Sequence, residues 1–510
     1  MKYRFNRAKP FSALSRSLLL LLCTGVTAGV SAMPTAQTLQ PQDFVELEQA
    51  IASIKTQGGL PFGSAIALVH NGKLIYQHHS GYADIQRRQA VTRDTAFYIA
   101  SATKPFTALA FLLLAQQGKV NLEQSLQQMW PKLQFQGVDA SRITLRQLLT
   151  HQSGLDNQPL VWASAYSGIH SVESMTQLVA ASVPDPEAKL GEFRYGNIGY
   201  NIAGLWLDQT SGMAWQEQLQ QLIFDPLKMQ HSSARQSKAA QWPLALPYSL
   251  MKTAEPLYLQ KTDATMHAAG GMFATSGDLA TFLLAQLPAT KSVLPAAVIT
   301  KSQQAQVSTD SSYGDFQRNG YAWGWYTGPY KGQTMLHHFG TFPGYSAHLS
   351  FLPGQQMGLV ILHNEDMLSR DMNNLIADYC YGLLLGDRDT KTRVQAGFAK
   401  LQQKLAQLPQ MKQAQQQKIQ GRKTLLSLPR DAYSGRYLHP QLGEMTVGLN
   451  AQQQLEFRWG ALHAIATGFD QPDTLRLELV PNSGDVLTFA VENGTVRQLT
   501  FSDMTFIKQR

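Results

Sequence analysis

Hydrophobic and polar positions follow two different periods along residues 33–386. Apolar residues at helical spacing predict helices over residues 41–56 and 103–117, with Pro41 tolerated in a first turn. Runs of apolar and β-branched residues predict strands at residues 64–69, 73–78, 348–352 and 358–363. Because these strands lie near both ends of the region and helical patterns fill its middle, we predict one sheet assembled from distant parts of the chain.

The pattern becomes a strict alternation after residue 426. Segments at residues 446–449, 455–458, 475–479 and 486–491 alternate with a period of two, and the hairpin pair Asn493-Gly494 follows the last of them. We therefore predict a separate small antiparallel β domain over residues 426–510. The Gln- and Lys-rich stretch at 387–425 is interpreted as a solvated helical linker between this domain and residues 33–386.

Residues 1–32 have the pattern of a secretory signal peptide. Basic residues precede the apolar run 18–22, and Val30-Ser31-Ala32 is a small-residue cleavage pattern, so cleavage is expected after Ala32. The apolar run is too short for a membrane span, which needs ~20 residues. Cys23 raises the alternative of a lipoprotein, but Leu22 stands where a small residue is expected. We expect a periplasmic or secreted protein without a membrane span.

Composition and charge narrow the function further. The 510 residues are 44% hydrophobic and 15% charged, which is typical of a folded chain. The formal net charge of +8 falls to +3 without residues 1–32, which hold five basic residues and no acidic one. No Lys/Arg run remains to follow a phosphate backbone, so we expect no nucleic-acid partner. After cleavage Cys380 is the only cysteine, which excludes an intrachain disulfide. No metal-binding pattern is present, and we predict no cofactor.

The sequence offers a serine nucleophile with a lysine partner. Ser101 and Lys104 form a Ser-x-x-Lys pattern, which places both side chains on one face of a helix. A desolvated lysine can lose its proton and then accept one from the hydroxyl. Ser249 and Lys252 have the same spacing. We favour Ser101 because a long apolar helix follows it, whereas prolines flank Ser249.

Two further segments carry candidate chemistry. Tyr195 and Asn197 lie in a glycine-rich loop, where a phenol with a lowered pKa is a candidate general base and an amide can hold both substrate and lysine. The alternative is an ordinary turn with a tyrosine at the edge of the core. The segment 338–344 offers His338 as a donor to substrate, Gly340 for close approach, and the Thr341 N–H as an oxyanion donor together with that of Ser101.

Together these motifs resemble the serine β-lactamase-related hydrolases, a superfamily that includes class C β-lactamases, penicillin-binding DD-peptidases, D-aminopeptidases and esterases. The resemblance covers about residues 43–385 and rests on segments 97–104, 143–155, 195–197, 269–275, 323–325 and 338–344. It implies an α+β fold: an antiparallel sheet flanked by helices, with a helical lobe, an active site between the two, and a catalytic domain at 33–386. The start of the last domain, 432–437, resembles a small lipocalin-like β domain.

The resemblance also implies roles and substrates. Ser101 would form an acyl-enzyme, with Lys104 as its proton partner, Tyr195 as the base, and Asn197 as the residue that positions substrate. His338 and Gly340 stand where β-lactamases have Lys-Thr-Gly, and Gly196 replaces the usual Ser or Ala. The expected substrates are D-amino-acid peptides, small esters or β-lactams. The alternative is a catalytically silent, penicillin-binding-protein-like module that binds peptidoglycan or a protein partner.

The segment 338–344, which stands where β-lactamases have Lys-Thr-Gly and is called the third motif below, carries a separate expectation through His338. With an ordinary pKa of about 6.5, His338 would be mostly neutral at pH 7 and would attract a substrate carboxylate only when protonated. We therefore expect weak β-lactamase activity. We also expect a preference for acidic substrates that grows as the pH falls toward ~6.

Overall fold

The computed structural model describes residues 39–252 and 254–510. The predicted signal peptide, its cleavage site and Cys23 lie outside the described residues. Within those residues, no helix is both long enough and apolar enough to cross a bilayer.

An eight-stranded antiparallel sheet forms the centre of the larger domain. In spatial order its strands are Val307–Tyr313, Phe316–Tyr321, Tyr326–Tyr330, Gln333–Phe342, Tyr345–Leu352, Met357–His363, Ser64–His70 and Lys73–Ser80. Ser64–His70 pairs with Met357–His363 along its whole length, from Ser64 opposite His363 to His70 opposite Met357. The prediction of one sheet built from both ends of the region is confirmed.

Successive side chains of a strand point to opposite faces of the sheet, so the two faces pack against two different hydrophobic cores. Ile66 and Leu68 pack in a core with the helices Val45–Gly58 and Ser369–Leu384. Ala67 and Val69 face the other way, toward the helices Ser276–Gln286 and Lys104–Gln116. Both faces of the sheet are therefore covered, and this explains why the sequences of the central strands are nearly continuous apolar runs.

A helical lobe lies beside the sheet. Its helices are Leu126–Met129, Leu145–Leu149, Gln158–Trp162, Val172–Ala180, Ile198–Thr210, Trp215–Leu219, Asp225–Leu227, Gln236–Ala239 and Ala296–Ser302. Short strands form three small sheets outside the central one: the pair Tyr82–Asp84 and Gln89–Ala90, the pair Leu155–Asp156 and Val183–Pro184, and a three-stranded sheet of Phe97–Tyr98, Phe273–Ala274 and Ser232–Ser233. The helix Lys104–Gln116 is buried over nearly its whole length, so it is the shared core element between lobe and sheet.

The segment 387–425 is helical but only partly solvated. It contains the helices Thr390–Ala406 and Leu408–Gln420. The first buries four apolar side chains, Val394, Phe398, Leu401 and Leu405, in the core that also contains the helix Val45–Gly58. A fully solvated linker is therefore wrong for this helix, because its apolar residues recur at helical spacing on one face. The second helix buries Leu408 alone.

The C-terminal region is a nine-stranded antiparallel sheet that nearly closes on itself. Its strands, in spatial order, are Leu462–Ile465, Leu455–Trp459, Gly443–Leu449, Gly435–His439, Met504–Lys508, Thr495–Phe501, Val486–Glu492, Thr474–Arg476 and Thr467–Gly468. Asn493 and Gly494 both have positive φ and close the predicted hairpin. The predicted strand at 475–479 ends earlier, at Arg476.

This sheet domain packs on the helical lobe through aromatic rings. The Trp162 ring lies 5.7 Å from the ring of Trp459 and 5.1 Å from that of Phe501, centroid to centroid. The Ala461 N–H also donates to the carbonyl of Ser167. The domain is thus attached directly to the helical lobe.

Candidate active site

Ser101 lies in a tight turn at the head of the buried helix. The 3-10 turn Ala100–Thr103 runs directly into Lys104–Gln116, with Pro105 in the first turn as predicted. Ala100 has φ +46°, a left-handed conformation that costs a non-glycine residue about 1 kcal/mol. The Ile99 N–H donates to the Met272 carbonyl, which fixes the approach to the turn. Ser101 itself is partly exposed and therefore accessible to substrate.

Lys104 lies beneath Ser101 with its amine fully enclosed. Its Nζ is 3.1 Å from Ser101 Oγ, 2.8 Å from Asn197 Oδ1 and 2.9 Å from the carbonyl oxygen of Ala269. Burial lowers the pKa of Lys104 well below its ordinary value of 10.5. In the described residues its three hydrogen-bond partners include no carboxylate that would offset this desolvation.

These three oxygen contacts can accept the three donors of an ammonium, and they also fit the neutral amine that the lowered pKa favours. The Asn197 and Ala269 oxygens only accept, so they take the two N–H donors of the uncharged form. The lone pair is then directed at Ser101, whose hydroxyl can donate to it. Ala269 enters the site through its backbone carbonyl, which no residue-type pattern predicts. Its segment, 269–275, was recognised only through the family resemblance.

Tyr195 and Asn197 arrive from the loop before the helix Ile198–Thr210. The Lys104 Nζ lies 4.9 Å from the centre of the Tyr195 ring. Although 37% of Tyr195 is exposed, burial around its hydroxyl raises its pKa to about 12. Hydrogen bonding to Ser101 and the charge of Arg318 act in the opposite direction but are smaller. The expectation of a lowered tyrosine pKa is therefore wrong: Tyr195 rests as a protonated phenol.

His151 holds this loop in place, a role that the sequence did not reveal. Its Nδ1 accepts the Gly196 N–H at 3.4 Å, and its Nε2 lies 3.1 Å from the Tyr321 hydroxyl. The ring is buried, and burial and the neighbouring Lys104 lower its pKa well below 6.5. Its place in the segment 143–155 was visible, but the distance to Gly196 depends on the fold. A Cβ added at Gly196 would meet no atom within 4 Å, so the missing Ser or Ala leaves open space.

The third motif lies on the strand Gln333–Phe342, beside the turn Ala100–Thr103 that carries Ser101 and is called the nucleophile turn below. Alternation along the strand places His338 and Gly340 on one face and His337 on the other, where Arg318 Nε donates to His337 Nε2 at 3.0 Å. A Cβ on Gly340 would lie 1.9 Å from the carbonyl oxygen of Ile99. Gly340 is thus required by the close approach of the chain's own nucleophile turn, whereas the sequence interpretation assigned that space to substrate.

The Thr341 N–H lies on an open edge of this strand. The two-residue turn at Pro343-Gly344 makes Phe342 and Tyr345 a hydrogen-bonded pair, so the N–H of Thr341 points to the opposite side. The neighbouring strand on that side, Tyr326–Tyr330, pairs only as far as His337. The Thr341 N–H is therefore free of the sheet ladder, as an oxyanion donor must be.

His338 is buried and does not have an ordinary imidazole pKa. Burial is the largest influence, and the nearby Lys104, Arg318 and His151 act in the same direction, so the pKa lies well below 6.5. A hydrogen bond with the Phe339 carbonyl opposes them weakly. The expected protonation near pH 6, and with it a growing preference for acidic substrates, is not consistent with this environment.

The arrangement brings every predicted site residue to one place, between sheet and helical lobe. The family model for the beta-lactamase family matches residues 47–378, and the chain belongs to this family. Protein flp of Staphylococcus aureus (strain COL) is 27% identical over 311 residues, which is 60% of this chain and 60% of flp. The chain thus spans about 60% of the length of this curated relative.

Solved structures share the fold. The octameric penicillin-binding protein homologue from Pyrococcus abyssi has a TM-score of 0.57 at 21% identity, covering 91% of this chain and 99% of that one. The D-amino acid amidase from Ochrobactrum anthropi SV3 has a TM-score of 0.53 at 21% identity, with 67% and 100% covered. The fold is accordingly that of the β-lactamases and penicillin-binding proteins, extended here by the C-terminal sheet.

Proposed function

We propose that the chain is a serine hydrolase that forms an acyl-enzyme at Ser101 with amide or ester carbonyls. The observation that carries the proposal is the buried amine of Lys104, whose Nζ lies 3.1 Å from Ser101 Oγ. Two hydrogen-bond acceptors, Asn197 Oδ1 and the Ala269 carbonyl oxygen, hold the amine there. This geometry gives a serine a desolvated amine as its general base, without a histidine or a metal.

The chemistry follows from the contacts. Lys104 takes the proton of Ser101 as Oγ bonds to the substrate carbonyl carbon, and the carbonyl π electrons move to oxygen. The N–H groups of Ser101 and Thr341 stabilise that oxyanion. When it collapses, the bond to the leaving group breaks. The leaving atom takes a proton from Tyr195, which is replaced by the one on Lys104.

Water completes the cycle. A water molecule gives a proton to the neutral Lys104 and attacks the acyl carbon, and the released Ser101 oxygen regains its proton. Tyr195 is therefore assigned as a proton relay and acid rather than as the resting base, because its phenol is protonated at neutral pH. Asn197 holds Lys104 through Oδ1, which leaves its amide N–H groups available for substrate.

The proposed substrates are D-amino-acid peptides, small esters or β-lactams. The fold neighbours include a D-amino acid amidase and a class C beta lactamase from Rhodobacter sphaeroides, and the relatives include penicillin-binding protein 4* of Bacillus subtilis (strain 168). These names support acyl transfer as the shared chemistry. We further propose export through the segment 1–32; N-terminal sequencing of the mature protein should then begin near Met33.

The direct test is covalent labelling. Purified protein is treated with a fluorophosphonate or a fluorescent penicillin, and the adduct is mapped by peptide mass spectrometry. An adduct on Ser101 that is lost in Ser101→Ala supports the proposal. Protein that carries no adduct and hydrolyses neither esters nor amides would instead be a binding module with this fold.

A further inference from the structure

One ring nitrogen of His338 is buried without a partner. Nδ1 lies 2.9 Å from the carbonyl oxygen of Phe339, which can only accept, so the ring hydrogen is on Nδ1. In a neutral imidazole the other nitrogen, Nε2, then carries a lone pair. Among the described residues, Nε2 has no hydrogen-bond partner. A buried acceptor without a protein partner can be satisfied by a water molecule or by a bound ligand.

The ring of His338 lies beside Tyr195, one of the proposed catalytic residues. The His338 ring lies 5.9 Å from the Tyr195 ring and 5.9 Å from the Tyr326 ring, centroid to centroid. His338 also shares its strand face with Gly340, which contacts the nucleophile turn. The His338 ring therefore lies next to Tyr195, the group proposed to protonate the leaving atom.

The charges around His338 favour a neutral donor. The titratable and charged groups that face it are Lys104, His151, Tyr195, Arg318, Tyr321 and Tyr326. No carboxylate is among them to stabilise an imidazolium. Arg318, which donates to His337 and lies with its guanidinium 3.8 Å from the centre of the Tyr326 ring, adds a positive charge that disfavours an imidazolium at His338.

We propose that His338 Nε2 accepts the N–H of the leaving amide nitrogen and so makes the site selective for amides over esters. This proposal rests on the function proposed above. The leaving atom must receive its proton from Tyr195, so it lies beside Tyr195 and within reach of that residue's neighbour, His338. An amide nitrogen presents a hydrogen to the Nε2 lone pair, whereas an ester oxygen presents only lone pairs and is repelled.

Three substrates with one acyl group test the selectivity: a secondary anilide, its N-methyl derivative and the phenyl ester. His338→Phe keeps the ring but removes the acceptor, and should lower kcat/KM for the anilide about tenfold relative to the ester. The ratio for the N-methyl anilide, which has no N–H, should not change. His338→Gln places a carbonyl oxygen near the position of Nε2 and should restore part of the loss. His337→Phe, on the opposite face, is the matched control.

A second measurement does not depend on turnover. In ¹⁵N-labelled protein, the His338 resonances, assigned by comparison with His338→Gln, should show Nδ1 protonated and Nε2 unprotonated from about pH 5.5 to 8.5. A protonated Nε2 would overturn the proposal, as would an anilide-to-ester ratio unchanged in folded His338→Phe. If wild type hydrolyses none of the substrates, the proposed function fails and the selectivity fails with it. If the wild type turns the substrates over and the anilide-to-ester ratio is the same in His338→Phe, only the selectivity proposal fails and the proposed function stands.

Discussion

The chain contains two Ser-x-x-Lys segments with identical spacing, and they differ in almost every physical respect. Ser101 is partly exposed and Lys104 is buried at the head of a thirteen-residue helix. Ser249 is buried, Lys252 is exposed, and the two residues are joined by a short turn in which the Lys252 N–H donates to the Ser249 carbonyl. A nucleophile requires the first arrangement: substrate must reach the hydroxyl, and the amine must be shielded from water to lose its proton.

Spacing alone therefore does not make a catalytic pair. The helix after Ser101 supplies the burial, and the acceptors at Asn197 and Ala269 supply the orientation of the amine. At the second segment the buried ionisable group is a carboxylic acid, Glu365, which accepts the Leu250 N–H at 3.4 Å.

The largest difference between the two segments is expected when each serine hydroxyl is removed in a separate variant and labelling and ester hydrolysis are measured. Ser101→Ala should abolish covalent labelling and lower ester hydrolysis by at least ~10³-fold, because no other group can form the acyl-enzyme. Ser249→Ala should leave both unchanged, since its hydroxyl is not accessible. Labelling stoichiometry by intact-protein mass spectrometry measures the effect. Labelling that is lost in Ser249→Ala and kept in Ser101→Ala would reverse the assignment.

The second largest difference is expected between variants of the two lysines, Lys104 and Lys252, in the rate of acylation. Lys104→Ala and Lys104→Arg should each slow acylation by about 10²–10⁴-fold, because alanine cannot accept a proton and arginine stays protonated. Lys252→Ala, at an exposed position, should keep the wild-type rate. Since burial lowers the pKa of Lys104, the wild-type acylation rate should already have reached its plateau well below pH 10.5.

Stopped-flow measurement of acylation with an activated ester tests both statements. Tyr195→Phe belongs in the same series and should show a loss of similar size, because it removes the proposed relay. Less than about a fivefold loss in both Lys104→Ala and Tyr195→Phe would leave Ser101 without its proton pathway.

The third contrast concerns stability rather than rate. Burial raises the pKa of Glu365 from 4.5 to about 7, outweighing its hydrogen bonds from the backbone N–H groups of Leu250, Met367 and Leu368. Between these pH values the native state keeps a proton that the unfolded state releases. The stability that this proton confers is therefore fully present below pH 4.5 and is lost as the pH rises through about 7.

Relative to Glu365→Gln, wild type should lose about 2–4 kcal/mol of unfolding free energy over that window. Urea denaturation at a series of pH values provides the measurement. Glu255→Gln, at an exposed carboxylate in the neighbouring loop, is the control and should not change the slope. Parallel pH profiles for wild type and Glu365→Gln would show that this carboxyl titrates at its ordinary pH.

Much of the scaffold could be predicted from local patterns. The strands Ser64–His70 and Met357–His363 and the turn Asn493-Gly494 follow from apolar runs and turn residues, since these features depend on neighbours in sequence. The site residues could also be named, because each belongs to a motif with characteristic residue types. Their protonation states could not, because pKa values depend on groups brought together only by the fold.

Three particulars illustrate this limit. The phenol of Tyr195 was expected to have a lowered pKa, yet burial raises it. Gly340 was expected to make room for substrate, yet the nearest obstacle to a Cβ is the Ile99 carbonyl, far away in sequence. The linker helix Thr390–Ala406 was interpreted as solvated because its composition is polar, although four apolar side chains on one face of the helix are buried. The first two outcomes depend on long-range contacts that sequence patterns do not contain, whereas the helical spacing of the four apolar residues was present in the sequence.

The smallest expected effect concerns the backbone before the nucleophile. Ala100 has φ +46°, whereas no residue of 245–252 has a positive φ, so this conformation distinguishes the two segments. Ala100→Gly removes the left-handed strain of about 1 kcal/mol but adds a similar entropy to the unfolded chain, so the unfolding free energy should change by less than about 0.5 kcal/mol. Acylation should nevertheless slow about three- to tenfold, because a glycine fixes the position of Ser101 less firmly.

Arg88→Gly is the matched control, since Arg88 also has a positive φ, at +53°, but lies exposed in a turn away from the site. It should show the same small change in stability and the full wild-type acylation rate. Stopped-flow acylation and urea denaturation of both variants test the contrast. Equal acylation rates in wild type, Ala100→Gly and Arg88→Gly would mean that the turn holds Ser101 without help from Ala100. Burial of the lysine would then account for the whole difference between the two segments.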